Sequence, residues 1–397
     1  MTELRVGDRD TGKTNMLPVY IISLATFIIF FQGFMVAPLL PMLSDHFHTS
    51  VRHVSFIEPA YLLGYGVFTL VYAPMSEKYG RFKIIALSML LFIVLTAGTA
   101  AVNNIDHMIA LRLLTGMGAA GVAPTTISWI SDTHPYEQRG HALGIFFGCM
   151  AGGAAFGSSI GAVLSSLVGW RYLFIGVSAV GFAILITIIK LKIWLFGNQR
   201  MIVAERRNVL SSFREILSKA RAKRTYAYVL LNGMFHSGIF AWLGYYLHLN
   251  YGLSEMQIGL ALLGYGIPGL MLGPSLGKLA DRYGRNKIIP IGILISAIAV
   301  LVLSQVPSLI ASCLLVTFLS FGFDLSHPLF AAIVTTFSAN KGAATGLFAF
   351  FLFLGYGLGS LVLSLIVSVG LNTAFQYYGI CALIGSIISF FIFRDER

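Results

Sequence analysis

The sequence predicts an all-α membrane protein whose twelve transmembrane helices form two pseudo-symmetric six-helix halves. Three observations carry this. The chain of 397 residues is 57% hydrophobic and 11% charged, with a mean hydropathy of +0.81, which is more apolar material than a soluble core of that length needs. Its apolar residues fall in twelve blocks, each about as long as the roughly 20 residues that carry a helix across hydrocarbon. A short polar motif between such blocks also occurs twice, 204 residues apart, and internal duplication is the architecture of secondary transporters.

The expected spans are 17–43, 54–74, 84–102, 107–130, 141–167 and 172–195 in the first half. In the second half they are 226–249, 256–279, 287–304, 308–333, 341–369 and 373–393. Residues 1–16 form a polar tail, and the first apolar block is too long for the apolar region of a cleavable signal, so none is expected. The organisation is thus a tail at 1–16, an N-terminal half at 17–195, a basic linker at 196–225 and a C-terminal half at 226–397. The linker holds eight basic residues. Val203, Val209, Leu210, Phe213, Ile216 and Leu217 fall near helical spacing within it, which fits either a helix lying on the inner leaflet or a solvated amphipathic connector.

The halves align beyond the motif. Gly140, Gly144, Gly153 and Gly157 recur 202 residues later as Gly342, Gly346, Gly355 and Gly359, and Gly118 and Pro124 recur 204 later as Gly322 and Pro328. The motif itself reads Glu77-Lys78-Tyr79-Gly80-Arg81-Phe82-Lys83-Ile84-Ile85 in one half and Asp281-Arg282-Tyr283-Gly284-Arg285-Asn286-Lys287-Ile288-Ile289 in the other. Gly80 and Gly284 allow tight turns between helices, and Glu77 and Asp281 can bond Arg81 and Arg285 or face a helix N-terminus. These six residues are candidate gates, the plain alternative being simple loop anchoring.

The net charge of +11 could point to nucleic acid, but its placement excludes that. With the N-terminus inside, 24 of the 27 basic residues lie in cytoplasmic segments, Arg52 and Arg171 lie in outer loops, and Arg112 lies within the fourth span. That bias follows the positive-inside rule and puts both termini in the cytoplasm. Cys149, Cys313 and Cys381 all fall inside apolar spans with no spacing that suggests a disulfide framework or a metal site.

Ionisable groups inside the bilayer are the sharpest functional signal. At mid-membrane each costs roughly 2.5–3.5 kcal/mol on insertion scales, so its presence calls for a partner or a cavity. Asp324 lies near the middle of the tenth span, with His327 three residues later on the same helical face. His236 lies near mid-depth in the seventh span, while Glu58 and Arg112 lie toward the outer ends of the second and fourth. Glu58 is a natural counter-charge to Arg112, or an interfacial residue facing outer water. Gln32 is the only long polar side chain in the first span and is a candidate substrate contact. The glycine rows Gly153/Gly157/Gly161 and Gly355/Gly359 place small residues at four-residue spacing, which lets a neighbouring helix approach closely.

As a set these residues resemble the major facilitator superfamily. The duplicated motif is similar to that family's loop 2–3 and loop 8–9 signature. Further matches are Arg112-x-x-Thr115-Gly116-x-Gly118, Arg139-Gly140-x-Ala142-x-Gly144, Gly157-Ser158-Ser159-Ile160-Gly161 and Trp170-Arg171-Tyr172-Leu173-Phe174. The pattern is most similar to the twelve-helix drug:proton antiporter and sugar-efflux group. It departs from that group in having Ser158 where a proline is usual and in having no acid in the first span.

The resemblance implies the major facilitator fold, with spans 1, 4, 7 and 10 around a central cavity where Asp324, His327 and His236 could form one titratable cluster. It links Arg112 to proton coupling, makes the hinge motifs a cytoplasmic latch, and puts the fifth and eleventh spans where the halves meet, so that their glycine rows serve rocking or close packing.

The functional expectation is a proton-coupled efflux antiporter for a small organic molecule, acting by alternating access as a monomer in a bacterial inner or plasma membrane. The alternatives are an uptake symporter and a lipid flippase or non-transporting sensor on the same fold. No catalytic set, metal or cofactor is expected. Gly7-x-x-x-x-Gly12-Lys13-Thr14 matches a phosphate-loop pattern but sits in a short polar tail with no strand before it, and Gly116-x-Gly118-x-x-Gly121 lies inside an apolar span.

Overall fold

The structure, a computed structural model, describes residues 16–134, 136–191, 209–268, 282–338 and 341–396. Within hydrocarbon every backbone N–H and C=O must be satisfied by the protein itself, which a helix does within its own segment, and the described regular structure is helical throughout.

The N-terminal half contains α1 (Leu17–Phe34), α2 (Leu40–His46), α3 (Val51–Val54), α4 (Ile57–Tyr79), α5 (Arg81–Ala100), α6 (Ile105–Ala119), α7 (Val122–Thr133), α8 (Tyr136–Val168) and α9 (Trp170–Lys190). Then come α10 (Val209–Ser218), α11 (Ala220–Tyr251), α12 (Glu255–Ala261), α13 (Arg285–Leu303), α14 (Leu309–Val334), α15 (Lys341–Ile366) and α16 (Leu371–Ile392). Ten helical segments among the described residues are long and apolar enough to span a membrane.

Two expected spans are broken by proline. Pro38 has no N–H to offer the carbonyl of Phe34, the last residue of α1, and the chain continues through a 3₁₀ turn at Ala37–Leu39 into α2. Pro124 likewise leaves Ala120 without its usual partner, and a single turn separates α6 from α7. The helix of the seventh span begins at Ala220, earlier than its apolar block, and α10 buries Ile216 completely and Ser212 largely against the protein.

The two described hinge glycines have the left-handed backbone their motif calls for, with φ +96° at Gly80 and +89° at Gly284. Each closes one helix and opens the next, so both motifs lie at the same end of the bundle, here termed the hinge end. At the opposite or far end the helix starts carry polar caps. Ser50 accepts from His53 N at 3.2 Å, Asn104 from Asp106 N at 2.7 Å and Ser308 from Ala311 N at 3.4 Å.

The halves are pressed together toward the far end. A Cβ added at Gly66 would lie 3.0–3.1 Å from Phe353 and Leu354 of α15, and one at Gly244 would lie 2.6 Å from Pro38. Such glycines admit another backbone where any side chain would hold it off. Toward the hinge end, a Cβ at Gly144, Gly148 or Gly346 would meet nothing within 4 Å. The halves close at one end and part toward the other, leaving a space between them.

Candidate functional site

That space holds a cavity of about 130 Å³. Its two walls differ. The N-terminal half contributes Phe30 and Phe34 of α1 with Met150, Ala151, Ala154 and Ala155 of α8, none of them ionisable. The C-terminal half contributes His236, Phe240, Tyr265, Ser320, Phe323, Asp324, His327 and Tyr356, together with Leu352 and Phe353.

Helical periodicity builds the polar wall. On α14, Ser320, Phe323, Asp324 and His327 recur at three- and four-residue intervals and therefore share a face. Ser320 Oγ donates to Asp324 Oδ2 at 3.3 Å. α11 brings in His236, whose Nε2 is hydrogen-bonded to the Tyr265 hydroxyl. The Phe323 ring lies between both imidazoles, with centroids 3.8 Å from His236 and 4.8 Å from His327, and His327 stacks in turn on Phe348 at 5.1 Å. Asp324, His327 and His236 thus line one wall together. An acid there can exchange a proton with cavity water, and its charge faces a space walled mainly by rings.

Arg112, Gln32 and Glu58 are placed elsewhere. The Arg112 guanidinium is fully buried inside the N-terminal half. Nη1 donates to Gln32 Oε1 at 2.8 Å and to the Gln32 carbonyl at 3.3 Å, Nη2 to the Gly33 carbonyl at 2.9 Å, and Nε to the Ile57 carbonyl at 3.2 Å. It also lies over the Tyr61 ring, 4.2 Å from the centroid. Gln32 is thereby turned toward Arg112 and is not among the cavity-lining residues. Glu58 is buried, no ion pair joins it to Arg112, and neither carboxylate oxygen has a hydrogen-bond partner among the described residues.

At the first hinge, Arg81 turns from Glu77 to other partners. Its guanidinium donates to Asp132 Oδ2 at 3.2 Å and 3.4 Å, and to Ser76 Oγ at 2.5 Å, so the hinge is tied to the end of α7. Asp281 lies outside the described residues. At the second hinge, the residue after Arg285 is held by the C-terminal segment: Asn286 N donates to the Glu396 carbonyl at 2.7 Å. The Glu396 carboxylate is in turn gripped by Arg221 at 2.5 Å and 2.6 Å. Position 336, the 204-residue counterpart of Asp132, is Thr336, and Arg221 Nη1 donates to its hydroxyl at 3.2 Å.

The glycine rows pack inside each half. Gly153 and Gly157 face the Phe27 and Phe31 carbonyls of α1, and Gly355 and Gly359 face the Leu230 and Met234 carbonyls of α11. Gly161 would set a Cβ 2.7 Å from Met35 Cβ. Contacts between the halves come from other small residues, Gly66, Gly244, Gly259, Gly266 and Gly357.

Sequence reasoning did not single out Tyr265, Tyr356, Phe323 or Ser320. In a membrane helix an aromatic side chain faces lipid or cavity with equal ease, and spacing carries no mark of which. Among the described residues no group of three or more His, Cys, Asp or Glu is placed to hold a metal ion.

Comparison with known proteins gives a consistent frame. The model of the Major Facilitator Superfamily matches residues 22–264 and 227–397. An uncharacterized MFS-type transporter of Methanocaldococcus jannaschii is 25% identical over 384 residues, covering 96% of this chain and 98% of the relative. The quinolone resistance protein NorB of Staphylococcus aureus is 25% identical over 369 residues, 79% of each chain. A bacterial homolog of the human lysosomal transporter Spinster, solved in an inward-facing and unoccupied conformation, superposes with a TM-score of 0.73 at 16% identity, over 96% of this chain and 98% of that one.

Proposed function

Because the chain belongs to the major facilitator superfamily, we propose that it is a proton-coupled carrier that exports a small organic molecule by alternating access. The observation that carries this reading is the split cavity: Asp324, His327 and His236 stand on one wall and apolar side chains on the other.

A carboxylate among aromatic rings suits an organic cation. The acid supplies the opposite charge, and the faces of Phe323, Tyr265 and Tyr356 add cation–π attraction. The wall of Phe30, Phe34 and Met150 suits an apolar body. The cargo is then an amphiphilic molecule with a basic nitrogen. Asp324 holds either that nitrogen or a proton, and this mutual exclusion is what antiport requires. Export as the direction draws support from NorB and from a partial match, 34% identical over 39% of this chain, to the efflux pump radE of Floropilus chiversii.

The positive-inside bias makes the hinge end cytoplasmic and with it both termini, so the state described here is open inward. The hinge contacts of Arg81 and Arg221 lie within single halves and serve to hold each half rigid as it rocks. The proposed setting is a bacterial inner or plasma membrane, with the chain acting as a monomer.

The test is proton flux in proteoliposomes with a trapped pH dye, challenged with amphiphilic amines, sugars and metallophores. Proton movement opposite to an amine, lost in Asp324→Asn, is the expected result. Movement in the same direction as cargo would replace export with symport, and silence from folded protein across the panel would remove proton coupling.

A further inference from the structure

The halves meet at the far end along two seams, and the repeat makes the seams comparable. Offsets of 204 and 202 residues pair Ser55 with Gly259 and Ser364 with Ala162. The same pairs are neighbours in space. The hydroxyls of Ser55 and Ser364 meet at 2.7 Å, whereas Gly259 lies against the Ser159 carbonyl, where an added Cβ would be 3.1 Å from Ala162 Cβ. One seam, α3 and α4 on α15, is therefore polar; the other, α12 on α8, is apolar.

Arg52 accentuates the difference. Its counterpart is Met256, and its guanidinium crosses from one half to the other. Nε donates to the Ser364 carbonyl at 3.1 Å and Nη2 to the Leu365 carbonyl at 3.3 Å. These carbonyls belong to the last turn of α15, where helices leave acceptors unpaired and the dipole favours a cation. Arg52 thus caps the end of a helix in the opposite half.

We propose that Arg52, with Ser55, is the positioning residue of a far-end latch: it holds the polar seam shut and must release the α15 carbonyls before the cavity opens on that side. The idea rests on alternating access, but its test reads geometry and needs no substrate. Charge-assisted hydrogen bonds are stronger than neutral ones, though exposure to water discounts them. Loss of the latch is expected to shift the closed-to-open ratio about tenfold toward the far-end-open state.

The experiment places nitroxide labels at His107→Cys and Val369→Cys, one on each half at the far end, in protein whose three native cysteines have been replaced. Pulsed electron–electron distances are then recorded in lipid nanodiscs. Arg52→Ala should add a longer distance that is rare in the parent, Arg52→Lys should partly reverse this, and Met256→Ala at the other seam should leave the distribution unchanged. Arg52→Gln serves if the alanine variant folds poorly. An unchanged distribution in folded Arg52→Ala and Arg52→Gln would overturn the latch, as would a fall in melting temperature with no new distance. Because no transport is read, a failure of proton coupling in the flux assay would leave this result standing.

Discussion

Position 324 places a carboxylate where insertion into hydrocarbon is costly, and the chain offers it a hydroxyl, a cavity and rings in place of a cation. Asp324→Asn keeps the shape and removes the titration, so pH-driven transport should fall to background while thermal unfolding stays near that of the parent, as flux and melting measurements on the same preparation would show. Glu58 poses the opposite case. An ionised carboxylate with no partner is a burden on the fold, so Glu58→Gln should melt no lower than the parent; a marked fall would mean that the carboxylate has a partner in the membrane. Arg112 bonds three carbonyls of two separate stretches, Gln32–Gly33 and Ile57, and Arg112→Leu removes all three bonds. The expected loss is about 1–3 kcal/mol for each such carbonyl, read as a lower melting temperature and reduced yield.

Asp324, His327 and His236 were legible because charge in an apolar block is rare and needs a reason. The bond between Gln32 and Arg112 was not, since its partners are 80 residues apart and no local spacing records such a meeting.

At the scale of the helices, the glycine rows act through close approach. A side chain at Gly359 would strike the Met234 backbone, whereas Gly148 has open space beside it. Gly359→Val should therefore destabilise by at least about 1–3 kcal/mol, while Gly148→Ala should be silent in the same melting assay. Four-residue spacing made these rows visible in the sequence, yet it named no neighbour, and the neighbours prove to be α1 and α11 within the same half. The hinges were equally legible, because a duplicated Tyr-Gly-Arg between apolar blocks has few uses and a positive φ demands glycine. Their partners were less so: Asp132 and Glu396 lie 51 and 175 residues from the arginines they hold. The breaks at Pro38 and Pro124 were hidden by hydropathy, which measures transfer to lipid and ignores a missing N–H.

For the molecule as a whole, the duplication foretold two halves and the family resemblance a cavity between them, but neither says which end is shut. The far-end closure comes from packing between glycines and backbones in opposite halves. Cysteines at Ser55 and Ser364 should bridge readily, since the two hydroxyls already touch. Oxidised Ser55→Cys/Ser364→Cys protein should transport nothing and regain its flux on reduction; flux that persists in the oxidised protein would show that this seam need not part.

The unequal walls of the cavity also bear on how such a protein changes over generations. Among the described residues, every titratable side chain that lines the chamber is encoded in the second half of the chain, and the facing wall is hydrocarbon from the first. Mutations that widen, narrow or reshape the apolar wall can retune which bodies fit without disturbing the groups that hold charge. A lineage could thus change the shape of the chamber through drift in α1 and α8 while the titratable groups of α11 and α14 stay fixed. Selection would act on the two walls as nearly separate traits.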